Sequence, residues 1–197
     1  MELTARVTKS FEDSIKVKQD ALAELPQVIA KTGAALWQVL LNQNKVLLCG
    51  NGGSAADAQH MASEFVNRFE MERPGLPAIA LTTDGPTITS IANDHRYDEI
   101  FARQIHALGN AGDALIAFTT SGQSTNILHA IEAAQERGLL VVLISGRDGG
   151  EAATRLRQQD IELRMPAQST ARIQELHILI VHCLCELIDL QFSGRED

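Results

Sequence analysis

The stretch LLCGNGGSAADAQHMASEF (47–65) decides how the chain is read. A short apolar run ends in glycines at positions 50, 52 and 53, and a segment with helical spacing follows. Strand, tight turn and helix in succession form the unit from which open parallel sheets are built. Gly50, Gly52 and Gly53 let backbone amides approach a ligand closely. The start of the helix adds partial positive charge, so an anion suits this turn. Ser54 followed by Asp57 has the spacing of a capping box and is expected to open the helix.

Outward from that stretch the pattern repeats. Apolar runs KVLLCG (45–50), AIALT (78–82), ALIAFTT (114–120), LVVLIS (140–145) and DIELRM (160–165) alternate with helix-length segments. Five such runs predict an α/β fold: a flavodoxin-like, doubly wound, five-stranded parallel sheet with its ligand site at the carboxyl ends of the strands. Residues 1–44 contain no strand-like run. FEDSIKVKQDALAEL (11–25) and PQVIAKTGAALWQVLLNQN (26–44) have helical spacing, with Pro26 placed to open the second helix. They are expected to form an N-terminal helical pair within the same domain as residues 45–197. STARIQELHILIVHCLCELIDLQF (169–192) reads as a long helix, apolar nearly all round and therefore buried. Covering it and the N-terminal pair predicts a second subunit.

The totals exclude several classes. The chain has 197 residues, 45% hydrophobic and 21% charged, a globular balance rather than a disordered one. A net charge of −8 with scattered basic residues argues against nucleic-acid binding, which needs a basic patch. Three cysteines, two of them in an apolar stretch, suit a reduced compartment. The first twenty residues are charged throughout and lack a signal-peptide core, and no window is expected to reach the roughly 18 apolar residues of a membrane span. The expectation is a soluble cytoplasmic protein without membrane contact.

What the first loop holds is open on its own. GNGGSA (50–55) fits the looser dinucleotide pattern, with Asp84 as a ribose-binding acid. It also fits a turn without a ligand. A second loop, TTSGQSTN (119–126), sits at an equivalent place and brings four hydroxyls, from Thr119, Thr120, Ser121 and Ser124, around Gly122. Hydroxyls with helical amides suit a phosphate monoester, although serine and threonine are also ordinary caps. Two such loops at neighbouring strand ends favour a phosphorylated small molecule. No G-x-x-x-x-G-K-[ST] is present, which excludes a P-loop.

On the helix after the first loop, Asp57, His60, Glu64 and Arg68 form one stripe, and Ala58, Ala62, Phe65 and Phe69 another. A solvated face explains the first stripe, but His60 and Glu64, one turn apart, also suit a divalent metal, and Glu64 a general base. In the last helix His177 and His182 are five positions apart and point in different directions, with Gln174 on a face between them. Spacing does not choose between the two histidines.

Taken together, CGNGGSAADAQHMASE, IANDHRYDEIF, TTSGQS, SGRDGGE and ARIQELHILIVH make the whole chain resemble the phosphoheptose isomerases of the sugar-isomerase (SIS) domain group. The resemblance implies a cytoplasmic homotetramer that converts sedoheptulose 7-phosphate to D-glycero-D-manno-heptose 7-phosphate for the heptose of lipopolysaccharide core. It implies zinc on His60, Glu64, Gln174 and His182, with Glu64 as base and His182 as acid. Substrate contacts carried over are Asn51, Gly52, Gly53, Ser54, Glu64, Asn93, Asp94, Thr119, Thr120, Ser121, Ser124 and Gln174. Thr119 stands where serine is commoner. A similar protein of the group associates with the bacterial replication initiator and lacks the glutamate and the second histidine; this chain carries both. A sugar-phosphate sensor, the third class, is normally fused to a DNA-binding domain, for which the chain has no room.

Overall fold

The computed structural model describes residues 2–194, and the alternating pattern appears as one parallel sheet. Strands β1 (Val46–Gly50), β2 (Ala78–Ala80), β3 (Ala114–Phe118), β4 (Leu140–Gly146) and β5 (Ile161–Met165) lie in the order β2-β1-β3-β4-β5. That is the flavodoxin-like order. Every residue of β1 and β3, and all of β4 beyond Leu140, is buried, because helices cover both faces and leave no polar side. At the edge, β5 alternates instead: Ile161, Leu163 and Met165 point inward, while Glu162 and Arg164 pair with each other outside the core.

Eight α-helices are found among the described residues: α1 (Leu3–Glu24), α2 (Pro26–Leu41), α3 (Gly53–Val66), α4 (Gly85–Asp94), α5 (Ala102–Leu108), α6 (Thr125–Glu136), α7 (Gly150–Thr154) and α8 (Thr170–Ser193). The period of two along each strand divides the core. Leu48, Ile116 and Val142 pack with α2, α3 and α8; Leu47, Leu115 and Val141 pack with α5, α6 and α7.

Helix α3 is shorter than its stripe suggested. It stops at Val66, so Arg68 and Phe69 lie beyond it. The guanidinium of Arg73 donates to the carbonyls of Glu64 and Phe65, satisfying last-turn acceptors that a longer helix would have used. Arg73 is anchored in turn by Asp189 of α8 at 2.6 Å.

Helix α8 corrects the expectation that no window approaches a membrane span, for it is long and apolar enough by length and composition. Its apolar residues have a protein lining instead: Ile173, Leu176, Ile180, Val181, Leu184 and Ile188 are buried in the core. The surplus apolar surface lies on α1, where Leu3, Val7, Phe11, Ile15 and Leu22 are exposed. Cys49 and Cys185 are buried, Cys183 is half-buried, and all three are free thiols.

Candidate active site

The chain passes from β1 to β2 on one side and returns to β3 on the other, so the strand order reverses between β1 and β3. A crevice opens there at the carboxyl ends, and both glycine- and hydroxyl-bearing loops flank it. In the first loop Gly52 has φ +57° and itself occupies the N-cap position of α3. A side chain would resist that backbone. The helix therefore begins two residues earlier than a Ser54 cap requires, and no side chain caps it. The capping-box expectation is overturned. Ser54 lies within the first turn, buried, and lines the cavity described next.

The second loop is organised by its own hydroxyls. Thr119 Oγ1 accepts from the Gly122 amide at 3.1 Å, and Ser121 Oγ accepts from the Gln123 amide at 3.3 Å. Gly122 has φ +66°, and a Cβ there would run into the Gly149 carbonyl, so the loop after β4 is pressed directly against it. Ser124 precedes α6 but makes no side-chain capping bond. Asn51, Ser54, Phe118, Thr119, Thr120, Ser121, Ser124, Thr170 and Gln174 enclose a cavity of about 200 Å³. Its lining has hydroxyls and amides but no lysine or arginine. Gly53 lets Gln174 lie over the start of α3, where a Cβ would collide with the Gln174 amide nitrogen.

Two residues that spacing did not single out hold Asn51 in place. Asn126 exchanges two hydrogen bonds with it, at 2.8 and 2.9 Å, and the Tyr97 hydroxyl donates to its Oδ1 at 3.2 Å. Asn126 lies inside the second-loop stretch and is almost wholly buried, a location that sequence does not disclose. Asn93 and Asp94 sit apart from the cavity, exposed at the end of α4, with the Asn93 amide donating to Asp94 at 2.8 Å. Asp84 caps α4 through the Thr87 amide and hydroxyl, which hold its carboxyl below its ordinary pKa; it is not placed as a ribose ligand.

A second cluster forms where α3 packs against α8. His60 Nε2 lies 3.0 Å from His182 Nε2 and 3.5 Å from Glu64 Oε1. The Phe69 ring stacks on His182 with centroids 5.6 Å apart. His177 is turned away: wholly buried, it meets the Ser145 carbonyl at 3.2 Å through Nε2 and packs near Phe118. Of the two histidines, His182 is the one that lies beside His60. Gln174 precedes His182 by eight residues, roughly 12 Å along the helix, and faces the hydroxyl cavity.

Among the described residues no three His, Cys, Asp or Glu side chains are already set around an ion-sized space. The donor chemistry nevertheless suits zinc, which takes imidazole and carboxylate. Two ligands of a tetrahedral ion at roughly 2.0–2.1 Å stand about 3.3–3.4 Å apart. His60 and His182 need to part only slightly to accept one.

The SIS domain family profile matches residues 10–146. The phosphoheptose isomerase of Halorhodospira halophila is 58% identical over 194 residues, covering 98% of each chain. The chain belongs to the phosphoheptose isomerase family. Solved phosphoheptose isomerases agree in fold: that of Francisella tularensis superposes with a TM-score of 0.94 at 47% identity, over 96% of this chain and 99% of its own. The Neisseria gonorrhoeae structure gives 0.91 at 45%, over 95% and 99%. Membership of the phosphoheptose isomerases makes this a sugar-phosphate isomerase fold and removes the dinucleotide reading of the first loop.

Proposed function

We propose that the protein isomerises sedoheptulose 7-phosphate to D-glycero-D-manno-heptose 7-phosphate through an enediol, supplying heptose for lipopolysaccharide core. The observation that carries the reading is the approach of His60, Glu64 and His182 to one another across α3 and α8, about 12 Å along α8 from the hydroxyl-lined cavity that Gln174 faces. The phosphate is held by Thr120, Ser121 and Ser124, with Gln174 beside them. Asn51 and Ser54 serve the sugar chain. Remote binding of the phosphate places C1 and C2 without taking part in the chemistry.

Glu64 takes the C1 proton of the ketose on a carboxylate oxygen while His182 gives a proton to O2. In the second half Glu64 returns its proton to C2 and His182 receives the O1 proton. Carboxylate and imidazole suit these jobs because proton transfer is efficient near the working pH. Zinc, which His60, Glu64 and His182 would hold, would supply Lewis-acid stabilisation of charge on the sugar oxygens; Gln174, the fourth ligand the resemblance implies, lies about two turns away along α8 and is assigned to the phosphate instead.

The exposed stripe of α1 supports a homotetramer: five large apolar side chains at helical spacing have no cover within one chain. Three free cysteines suit a cytoplasmic site. Retention of Glu64 and His182 favours the enzyme over a noncatalytic partner of the replication initiator.

Purified protein supplied with sedoheptulose 7-phosphate tests the reading. Turnover is expected with zinc present, lost on chelation and restored by zinc, with no turnover of unphosphorylated sedoheptulose. Equal turnover of both sugars would refute the phosphate cavity. Sedimentation is expected to give a tetramer, and Phe11→Asp to dissociate it.

A further inference from the structure

Helices α3 and α8 run side by side, and their contacts advance in step: Gly53 with Gln174, Asp57 with His177, His60 with His182. Arg73 closes the far end by joining the Glu64 carbonyl to Asp189. The middle step brings two polar side-chain atoms together without a bond. Asp57 Oδ2 and His177 Nδ1 face each other at 3.9 Å, both buried and both without a hydrogen-bond partner. His177 Nε2 donates to the Ser145 carbonyl, which leaves Nδ1 as an acceptor. Two bare polar atoms buried opposite one another carry an uncompensated desolvation cost that a single proton between them removes.

We propose that Asp57 and His177 share one proton in a hydrogen bond that fixes α3 against α8, making them positioning residues for the His60, Glu64 and His182 cluster. This rests on the isomerase reading of that cluster. A side-chain rotation of about 1 Å brings the pair to ordinary hydrogen-bond distance. Burial acts in the required directions: it pushes the Asp57 carboxyl up to about 6 and the His177 imidazole down to about 4. A protonated carboxyl and a neutral imidazole are the donor and acceptor that the bond needs; burial alone sets that state between about pH 4 and 6, and the bond, by favouring the protonated carboxyl, extends it to higher pH. Asp57 lies three residues before His60, and His177 lies between Gln174 and His182. Loosening this step shifts one donor set against the other while leaving the hydroxyl cavity intact.

The test compares Asp57→Asn, Asp57→Ala, His177→Leu and the Asp57→Ala/His177→Leu double variant. For each, kcat and KM are measured on sedoheptulose 7-phosphate, and zinc affinity by competition with a chromogenic chelator. Asp57→Asn keeps a donor toward Nδ1 and is expected within about threefold of the unmutated protein in both kcat and zinc affinity. Asp57→Ala and His177→Leu are each expected to lose about 10–100-fold in kcat and in zinc affinity, the range seen when a supporting hydrogen bond to a ligand set is removed. KM should be unchanged, and the double variant no worse than either single one. Should Asp57→Ala not fold, Asp57→Ser, whose hydroxyl is too short to reach His177, replaces it under the same criteria. Multiplicative losses in the double variant, an Asp57→Asn protein as impaired as Asp57→Ala, or normal zinc affinity in both single variants would overturn the pair. Absence of turnover by the unmutated protein would instead overturn the isomerase reading, while the zinc titrations still decide the pair.

Discussion

His60 Nε2 and His182 Nε2 stand 3.0 Å apart although 122 residues separate them in the chain. At that distance one imidazole donates and the other accepts, so the two rings work as a unit set by the packing of α3 on α8. In the proposed mechanism, removing His182 removes the acid and one zinc ligand together. His182→Ala is expected to lower kcat by about 10²–10⁴-fold, the range of general acid–base catalysis. His177→Ala should retain more activity than His182→Ala and lose stability as well, because its ring is wholly buried beside Phe118. Steady-state kinetics with a denaturation curve for each variant checks this; the reverse ranking would contradict it.

The hydroxyl cavity should read out in affinity. With the phosphate seated in the cavity as proposed, Ser121→Ala and Ser124→Ala each remove one hydrogen bond to a charged group, worth roughly 1.5–3 kcal/mol. Calorimetric titration with the sugar phosphate is expected to show weaker binding in both. Thr119→Val should instead destabilise the loop, since the Thr119 hydroxyl is engaged by the Gly122 amide.

Arg73 and Asp189 form a buried ion pair, with side chains 1% and 7% exposed. Arg73→Met leaves Asp189 charged and unpaired in the interior and frees the Glu64 and Phe65 carbonyls. Stability should fall by about 3–5 kcal/mol, the cost of breaking such a pair from one side. Urea denaturation measures it, and a loss below about 1 kcal/mol, the range of an exposed pair, would contradict the burial argument.

Asp57 and His177 give opposite pH dependences. Burial keeps His177 unprotonated down to about 4, whereas the unfolded chain takes up that proton near 6.5, so its contribution is full above 6.5 and lost as pH falls toward 4. Asp57 stays protonated to about 6 when folded but ionises near 3.8 when unfolded, so its contribution is full at low pH and lost as pH rises through 6. The two offset each other between pH 4 and 6. In Asp57→Asn the histidine is left alone, and stability should fall more steeply than in the unmutated protein as pH drops from 6.5 to 4. In His177→Leu the carboxyl is left alone, and stability should fall more steeply as pH rises from 4 to 6. Urea midpoints across that range that run parallel in all three proteins would contradict these assignments.

Much of the fold is legible from local pattern. The inner strands β1, β3 and β4 are buried on both faces and therefore read as unbroken apolar runs, and Pro26 marks the start of α2 by its fixed φ. Failures occur where a distant residue decides. Arg73 ends α3 before Arg68 and Phe69, from beyond the helix. Gly52 takes the cap position by adopting φ +57°, which the letters of a glycine-rich loop permit but do not demand. Of the candidate site, His60 and Glu64 share a helix face and are visible as a pair. Their partnership with His182, the Asn126 and Tyr97 support of Asn51, and the Asp57–His177 step all depend on packing between elements far apart in sequence.

The central claim is that Glu64 carries the proton between C1 and C2, and solvent isotope exchange tests it most directly. Sedoheptulose 7-phosphate is incubated with the protein in D2O and followed by proton NMR. The unmutated protein should place deuterium at C2 of the aldose and at C1 of recovered ketose. Glu64→Gln, matched in size but without the base, should lower both exchange and turnover by about two orders of magnitude or more. A folded Glu64→Gln protein that exchanges and turns over at the normal rate would contradict the account.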